Sequence, residues 1–319
     1  MSVVTRRQAL RIGGAAIAMA ARGPKAWAAQ CTPVDFAMPA GACDCHVHIV
    51  GDPTRFPMAA DRVYTPPQAS PEMLLELHGA LHMERVVLIQ PSFYGADNAM
   101  LLDGLRQLGR RARAVAVVGD GATDADLDEM VAAGVRGIRI NLETAGQRDP
   151  AVAAEKLQAA IARCAPRAWH IQLYTRPAII AALADRLAVA PVPLVLDHFA
   201  GAQGPKGLDQ PGFAAVLGLV RSGKAYVKIS AAYRASKAPY DDIVPFAQAL
   251  VAANPDRILW GSDWPHTDST RIAGRAAIDV SPFLTVDDGM MLNQLLRWVP
   301  DVTQRRKILT DNPARLYGF

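Results

Sequence analysis

The strongest constraint on this chain is a repeated pattern: short apolar runs rich in β-branched residues recur at roughly 25 to 45 residue intervals, with segments of helical period between them. The runs predict strands at 42–48, 85–91, 113–118, 135–141, 169–174, 192–198, 225–230 and 257–263. Helical spacing predicts helices over 71–82, 97–110, 124–133, 151–164, 177–187, 212–222, 240–253 and 286–298, with 303–310 closing the chain. Ser70-Pro71-Glu72 and Thr123-Asp124 supply capping residues and acids where two of these helices begin. Strand and helix alternating eight times specify an α/β fold, the (β/α)8 TIM barrel. At 319 residues and 51% apolar composition the chain has enough material for one such domain, and no internal shift of composition suggests a second.

Before the first strand, Thr5-Arg6-Arg7-Gln8-Ala9-Leu10-Arg11 precedes the weakly apolar run 12–21, Lys25 and the small-residue site Ala26-Trp27-Ala28. This order is that of a twin-arginine export signal over residues 1–28, with mature protein from Ala29, periplasmic location and no membrane association once the signal is removed. The net charge of +4 owes much to this segment, and no dense Lys/Arg stripe remains to bind nucleic acid. Oligomeric state leaves no signal. Cys31 and Cys164 could pair only if the fold brings them together.

In Cys43-Asp44-Cys45-His46-Val47-His48, strict alternation would aim Asp44, His46 and His48 at one face and turn Cys43 and Cys45 toward the helix layer. Function in such barrels gathers at the C-terminal ends of strands. Those ends carry His46 and His48, then Ser92 and Asn98, Arg139, Tyr174, Asp197-His198, the stretch Lys228 to Arg234, and Asp263. His170 falls at a strand start, hence at the opposite mouth, while His78 and His82 read as surface or packing residues. Tyr64, Arg148 and His266 are weaker candidates. Loops 49–70, 199–211 and 264–284 are long enough to cover the mouth.

Five motifs in order, Asp44-Cys45-His46-Val47-His48, Gln90 to Asn98, Leu196-Asp197-His198-Phe199, Trp260-Gly261-Ser262-Asp263-Trp264-Pro265 and Asp311 to Phe319, resemble the amidohydrolase superfamily. The resemblance is to the amidohydrolase-2 type and its lactonase branch of pyrone-dicarboxylate and sulfomuconolactone hydrolases, over residues 40–319. It implies a hydrolase opening a small anionic lactone of pyrone dicarboxylate, muconolactone or aldarolactone type. A lactone isomerase of the same branch and a metal-dependent amidohydrolase or decarboxylase are the alternatives.

Metal-dependent relatives add a fourth-strand Lys or Glu, or a fifth-strand His, where this chain has Arg139 and Tyr174. The resemblance to the pyrone lactonases therefore implies no cofactor, and one divalent metal, zinc or manganese, is the alternative. Without a metal, Asp263 is the expected base for water, and His46, His48 and His198 the groups that polarise the carbonyl. Arg139 and Arg234 would anchor substrate carboxylates, with Ser92, Tyr174 and Asn98 adding neutral hydrogen bonds. Asp44 is expected to orient a histidine.

Overall fold

The computed structural model describes residues 31–270 and 274–319, and the expected signal at 1–28 lies outside the described residues. Parallel strands β1 (Cys43–Val47), β2 (Arg85–Ile89), β3 (Ala112–Ala116), β4 (Val135–Asn141), β5 (His170–Tyr174), β6 (Leu194–Leu196), β7 (Ala225–Ser230) and β8 (Ile258–Gly261) pair in chain order. The ring closes just past the ends of its outer members. Val47 bridges Trp264, His48 N donates to Trp264 O at 2.8 Å, and Asp263 N donates to His46 O at 2.9 Å. The fold is the expected (β/α)8 barrel, and its closure draws His46, His48 and Asp263 to one spot. Gly261 permits this approach, since a Cβ there would lie 2.7 Å from His46 Cβ.

Helices pack outside the ring, and apolar residues of both layers form the main core. Ser70 and Thr123 cap Pro71–Leu81 and Asp124–Ala133, the second through a reciprocal capping box with Asp126. Several expected helices are shorter or divided. The span 177–187 breaks at Leu183 into Pro177–Ala182 and Ala184–Ala188, and 286–298 becomes Asp288–Asn293 and Leu295–Trp298. A four-residue helix after β7, Ala232–Ala235, is additional and carries Tyr233 and Arg234. Among the described residues no helix is long and apolar enough to cross a membrane.

The expected alternation in β1 fails. Its pairing with β2 runs Asp44↔Val86 and then Val47↔Leu88, so β1 carries one extra residue, a bulge. Cys43 and Cys45 therefore face the barrel interior with Val87, Ile89, Val115, Val195 and Leu259, rather than the helix layer. Asp44 turns outward instead, with its Oδ2 3.5 Å from Nε2 of His78, which is buried on the first helix rather than at the surface. Asp44 Oδ1 accepts the backbone N–H groups of His46 at 3.1 Å and Ser262 at 3.0 Å. It thus fixes the bulge and the end of β8, and its imidazole partner is His78. All four cysteines are free thiols, Cys31 and Cys164 included.

Candidate active site

Three imidazoles surround one carboxylate oxygen at the C-terminal mouth. Asp263 Oδ1 lies 3.6 Å from His46 Nε2, 3.7 Å from His48 Nε2 and 3.6 Å from His198 Nε2, and all four residues are buried. The His46 and His198 rings tilt against each other with centroids 4.6 Å apart, and His48 stands edge-on to His46. His198 follows β6 with φ 50° and Asp263 follows β8 with φ 67°. Backbone held in the left-handed region at both residues is strain retained where side chains must aim inward.

Each group is held from behind. Asp263 Oδ2 accepts from Tyr233 Oη at 2.6 Å and from Arg234 Nε at 2.7 Å, leaving Oδ1 toward the cleft. Tyr233 Oη also lies 3.2 Å from His266 Nδ1, whose Nε2 is 3.1 Å from Asp288 Oδ2, so a buried polar chain backs the carboxylate. His48 Nδ1 lies 2.8 Å from Ile89 O, His198 Nδ1 2.9 Å from Ser230 Oγ, and His46 Nδ1 3.3 Å from Lys228 Nζ. Beneath them Asp197 gathers His46 at 3.3 Å, Lys228 at 3.5 Å, Arg139 at 3.6 Å and the donating Gln172 amide at 3.0 Å.

Burial lowers the pKa of all three imidazoles, to about 4 for His48 and His198 and well below the usual range for His46, so the rings are neutral at pH 7. Burial would raise the Asp263 pKa, but Arg234, then His198, His46 and His48, outweigh it and hold the carboxyl well below the usual carboxylate range. A carbonyl can only accept, so Ile89 O fixes the His48 proton on Nδ1. His48 Nε2 thus presents a lone pair to the cleft, not the carbonyl-polarising donor expected. Lys228 donating to His46 Nδ1 would leave that ring's proton on Nε2. Ser230 can bond either tautomer of His198.

Of the expected binding residues, Ser92, Arg139, Tyr174 and Arg234 line the cleft, together with Tyr64, Asn141, Thr144, Thr267 and Ser269. Arg234 is first the partner of Asp263, and Arg139 is shared with Asp197 and Gln90 O. Asn98 does not join them: its amide bonds Ala96 O, Val117 O and Val117 N, which ties the loop after β2 to the end of β3. Arg148 pairs with Glu143, and His170 sits at the far end of β5 against Tyr317, as its position in the strand predicts. The sequence places Lys228, Gln172 and Tyr233 at or near strand ends, in the stretch Lys228 to Arg234 and in Gln172-Leu173-Tyr174, but sequence reasoning gave none of them a role. Polar side chains inside the apolar runs of β5 and β7 were a signal for the first two, whereas Tyr233 left none.

Among the described residues His46, His198 and Asp263 bring ligand atoms within 4.8 Å of one another, and His46 Nε2 makes no hydrogen bond to the protein. With the His48 lone pair beside them, and with the His46 proton on Nδ1 toward Asp197, these residues fit a divalent cation held by neutral nitrogens and one carboxylate.

A parallel barrel with such a mouth defines an enzyme site, and the comparisons agree. The amidohydrolase family model matches residues 43–319, and the chain belongs to that family. It is similar to 4-sulfomuconolactone hydrolase of Rhizobium radiobacter, 36% identical over 93% of this chain and 95% of the relative. It is also similar to 2-pyrone-4,6-dicarboxylate hydrolase of Comamonas testosteroni, 33% identical over 91% and 94% of the two chains. A crystal structure from Agrobacterium tumefaciens superposes with a TM-score of 0.76 at 26% identity, covering 91% of this chain and 98% of that one.

Proposed function

We propose that this chain hydrolyses a small anionic lactone of pyrone dicarboxylate, muconolactone or aldarolactone type, with Asp263 as general base. The observation that carries the reading is the convergence of two acceptors, Asp263 Oδ1 and the His48 Nε2 lone pair, 3.7 Å apart beside a cleft with room for about one water. Both acceptors would hold that water by its protons, leaving an oxygen lone pair for the lactone carbonyl. Asp263 takes one proton as the oxygen attacks. The tetrahedral oxyanion is met by His46 Nε2–H and by His198 in the tautomer whose Nδ1 accepts from Ser230 Oγ and whose Nε2 carries the proton, the ring C–O bond breaks, and Asp263 returns its proton to the leaving oxygen.

A carboxylate held so low is a weak base while Arg234 grips it. An anionic substrate that engages Arg234 relaxes that grip and strengthens the base as it binds. Arg139 and Tyr174 complete the anchor; burial first of all pushes the Tyr174 hydroxyl up to about 12, so it stays a donor. The same site suits a divalent cation, zinc or manganese, held by His46, His48, His198 and Asp263; when bound, it would polarise the carbonyl and acidify water.

The test is a panel of such lactones assayed on protein purified from residue 29, before and after chelation, with its metal content measured. The reading expects hydrolysis that survives chelation without stoichiometric metal. Activity lost on chelation and restored by zinc would overturn Asp263 as base, and a rearranged lactone in place of the hydroxy acid would turn hydrolysis into isomerisation. The twin arginines and Ala26-Trp27-Ala28 support periplasmic export as part of this proposal, checked by fractionation and N-terminal sequencing near Ala29.

A further inference from the structure

The buried polar chain behind Asp263 ends on a carboxylate, Asp288, that is not part of the cleft wall. Asp288 opens the helix Asp288–Asn293 and is 2% exposed, and both its oxygens lie 3.1 Å from His266 Nε2. The start of that helix is pinned. Asp287 Oδ1 accepts from Met290 N at 3.0 Å and from Thr32 N at 2.9 Å, and a Cβ on Gly289 would strike Thr32 O. His266 is pinned as well, in a left-handed turn at φ 64°, with its N–H donated to Asp263 O at 2.9 Å and its carbonyl accepting from Leu284 N at 2.9 Å. Two rigid mounts therefore hold a buried acid against a buried imidazole.

The distances set the direction of the hydrogen bonds. Tyr233 has one hydroxyl proton and two neighbours able to accept it, Asp263 Oδ2 at 2.6 Å and His266 Nδ1 at 3.2 Å. A phenol proton facing a carboxylate at 2.6 Å is committed there, since charge-assisted bonds are the short and strong ones. Two lone pairs would then confront each other between Tyr233 Oη and His266 Nδ1 unless Nδ1 carries a proton, and buried polar atoms are rarely left so. Nor can Nε2 face an ionised Asp288 as a bare lone pair, so a further proton lies between them and the acid and imidazole together are uncharged. Burial pushes the Asp288 carboxyl above its usual value, with His266 opposing the rise and Asp44 adding to it, which agrees with an acid that keeps or shares a proton.

We infer that Asp288, acting through His266, is a positioning residue for Asp263: it commits the Tyr233 hydroxyl to Oδ2 and so, with Arg234, holds the carboxylate with Oδ1 toward the water. The inference rests on the reading of Asp263 as base. Once the acid is lost, His266 is free to carry its proton on Nε2, and Nδ1 becomes a competing acceptor for Tyr233. Asp263 then loses one of its two donors although no group has left the cleft.

Kinetics on chelated protein test it with Asp288→Leu, Asp288→Asn, Tyr233→Phe and the Tyr233→Phe/Asp288→Leu double variant. Asp288→Leu is expected to lower kcat about tenfold with KM changed by less than about twofold, and Asp288→Asn, whose amide can donate to Nε2, to keep most of the rate. In the Tyr233→Phe background Asp288→Leu should cost nothing more, because the route between them is already cut. Losses that multiply, a change in KM in place of kcat, or an Asp288→Asn rate as low as that of Asp288→Leu would overturn the role. NMR of wild-type protein labelled at the histidine nitrogens, with His266 assigned by its absence in His266→Asn, reads the chain without a variant at Asp288: a proton on Nδ1 supports it, and a bare Nδ1 overturns it. Wild-type protein that opens no lactone after chelation would overturn the base and the positioning role together, whereas an active wild type with multiplying losses overturns the role alone.

Discussion

Replacing Arg234 with methionine keeps much of the apolar stem and deletes the guanidinium that grips Asp263. Two hydrogen bonds go with it, Nε to Asp263 Oδ2 at 2.7 Å and Nη2 to Thr267 O at 3.0 Å. Removing one partner of a buried ion pair costs about 3–5 kcal/mol. Arg234 keeps 21% of its side chain exposed and Tyr233 still donates to Oδ2 at 2.6 Å, so about 2 kcal/mol is the reasonable share here. At 1.36 kcal/mol per pKa unit, that is a rise of about 1.5 units for Asp263. The fold depresses this pKa, so the pair's contribution to stability is complete above the unfolded value of about 3.9 and is lost as pH falls through the folded one. Without Arg234 the variant should be less stable at pH 7 by about 2 kcal/mol. The acid limb of its residual lactonase activity should lie more than a unit higher. Urea melts at pH 7 and a pH profile of kcat/KM check both; a variant matching wild type in both would refute the claim that Arg234 holds Asp263.

Asp263→Asn should reduce hydrolysis by at least about 100-fold while affinity for the ring-opened product stays within a few fold, measured by stopped assays and calorimetry. Lys228→Met should let His46 carry its proton on Nδ1 and donate it as a hydrogen bond to Asp197 Oδ1, freeing Nε2 as a ligand; zinc affinity by competitive chelation should rise while chelator-resistant turnover falls. Burial holds His48 and His198 near 4 and His170 near 3, so the folded protein takes up no proton on these rings where unfolded histidine does. Stability should therefore be level above about pH 6.5 and fall as pH drops toward 4, and a thermal midpoint flat across that window would contradict the neutral-ring assignment.

Much of the barrel was legible because its signals are local. Apolar runs mark strands, Ser70 and Thr123 mark helix starts, and the order of the runs dictates the order of the ring. The site was legible so far as its residues sit at strand ends, which is how His46, His48, His198 and Asp263 could be grouped. What escaped depends on register and on distant partners. One extra residue in β1 reversed the faces of Asp44, Cys43 and Cys45, because side chains alternate with a period of two and a bulge inserts a third. Asn98 had the composition of a binding residue, but a carbonyl and an amide of Val117 had already taken its side chain. Tyr233 and Asp288 reach the site only through folding, by way of Asp263 and His266.

The chemistry available at this mouth turns on where three protons sit. Ile89 O settles one, giving His48 a lone pair toward the cleft. His46 has two competitors at the same 3.3 Å, a lysine that can only donate and a carboxylate that can only accept, and each prescribes the opposite tautomer. Lys228 also donates to Gln172 Oε1 at 2.8 Å while Gln172 donates to Asp197 Oδ2 at 3.0 Å, so the lysine and the carboxylate are locked as a unit beneath the ring. With the proton on Nε2, His46 can serve as the proposed oxyanion donor beside Asp263 as the proposed base. With the proton on Nδ1, His46 joins His48 as a nitrogen ligand and the same geometry holds a cation. A buried lysine in β7, two residues before the strand ends, thus sets which of the two proposed roles, oxyanion donor or cation ligand, the His46 ring can take.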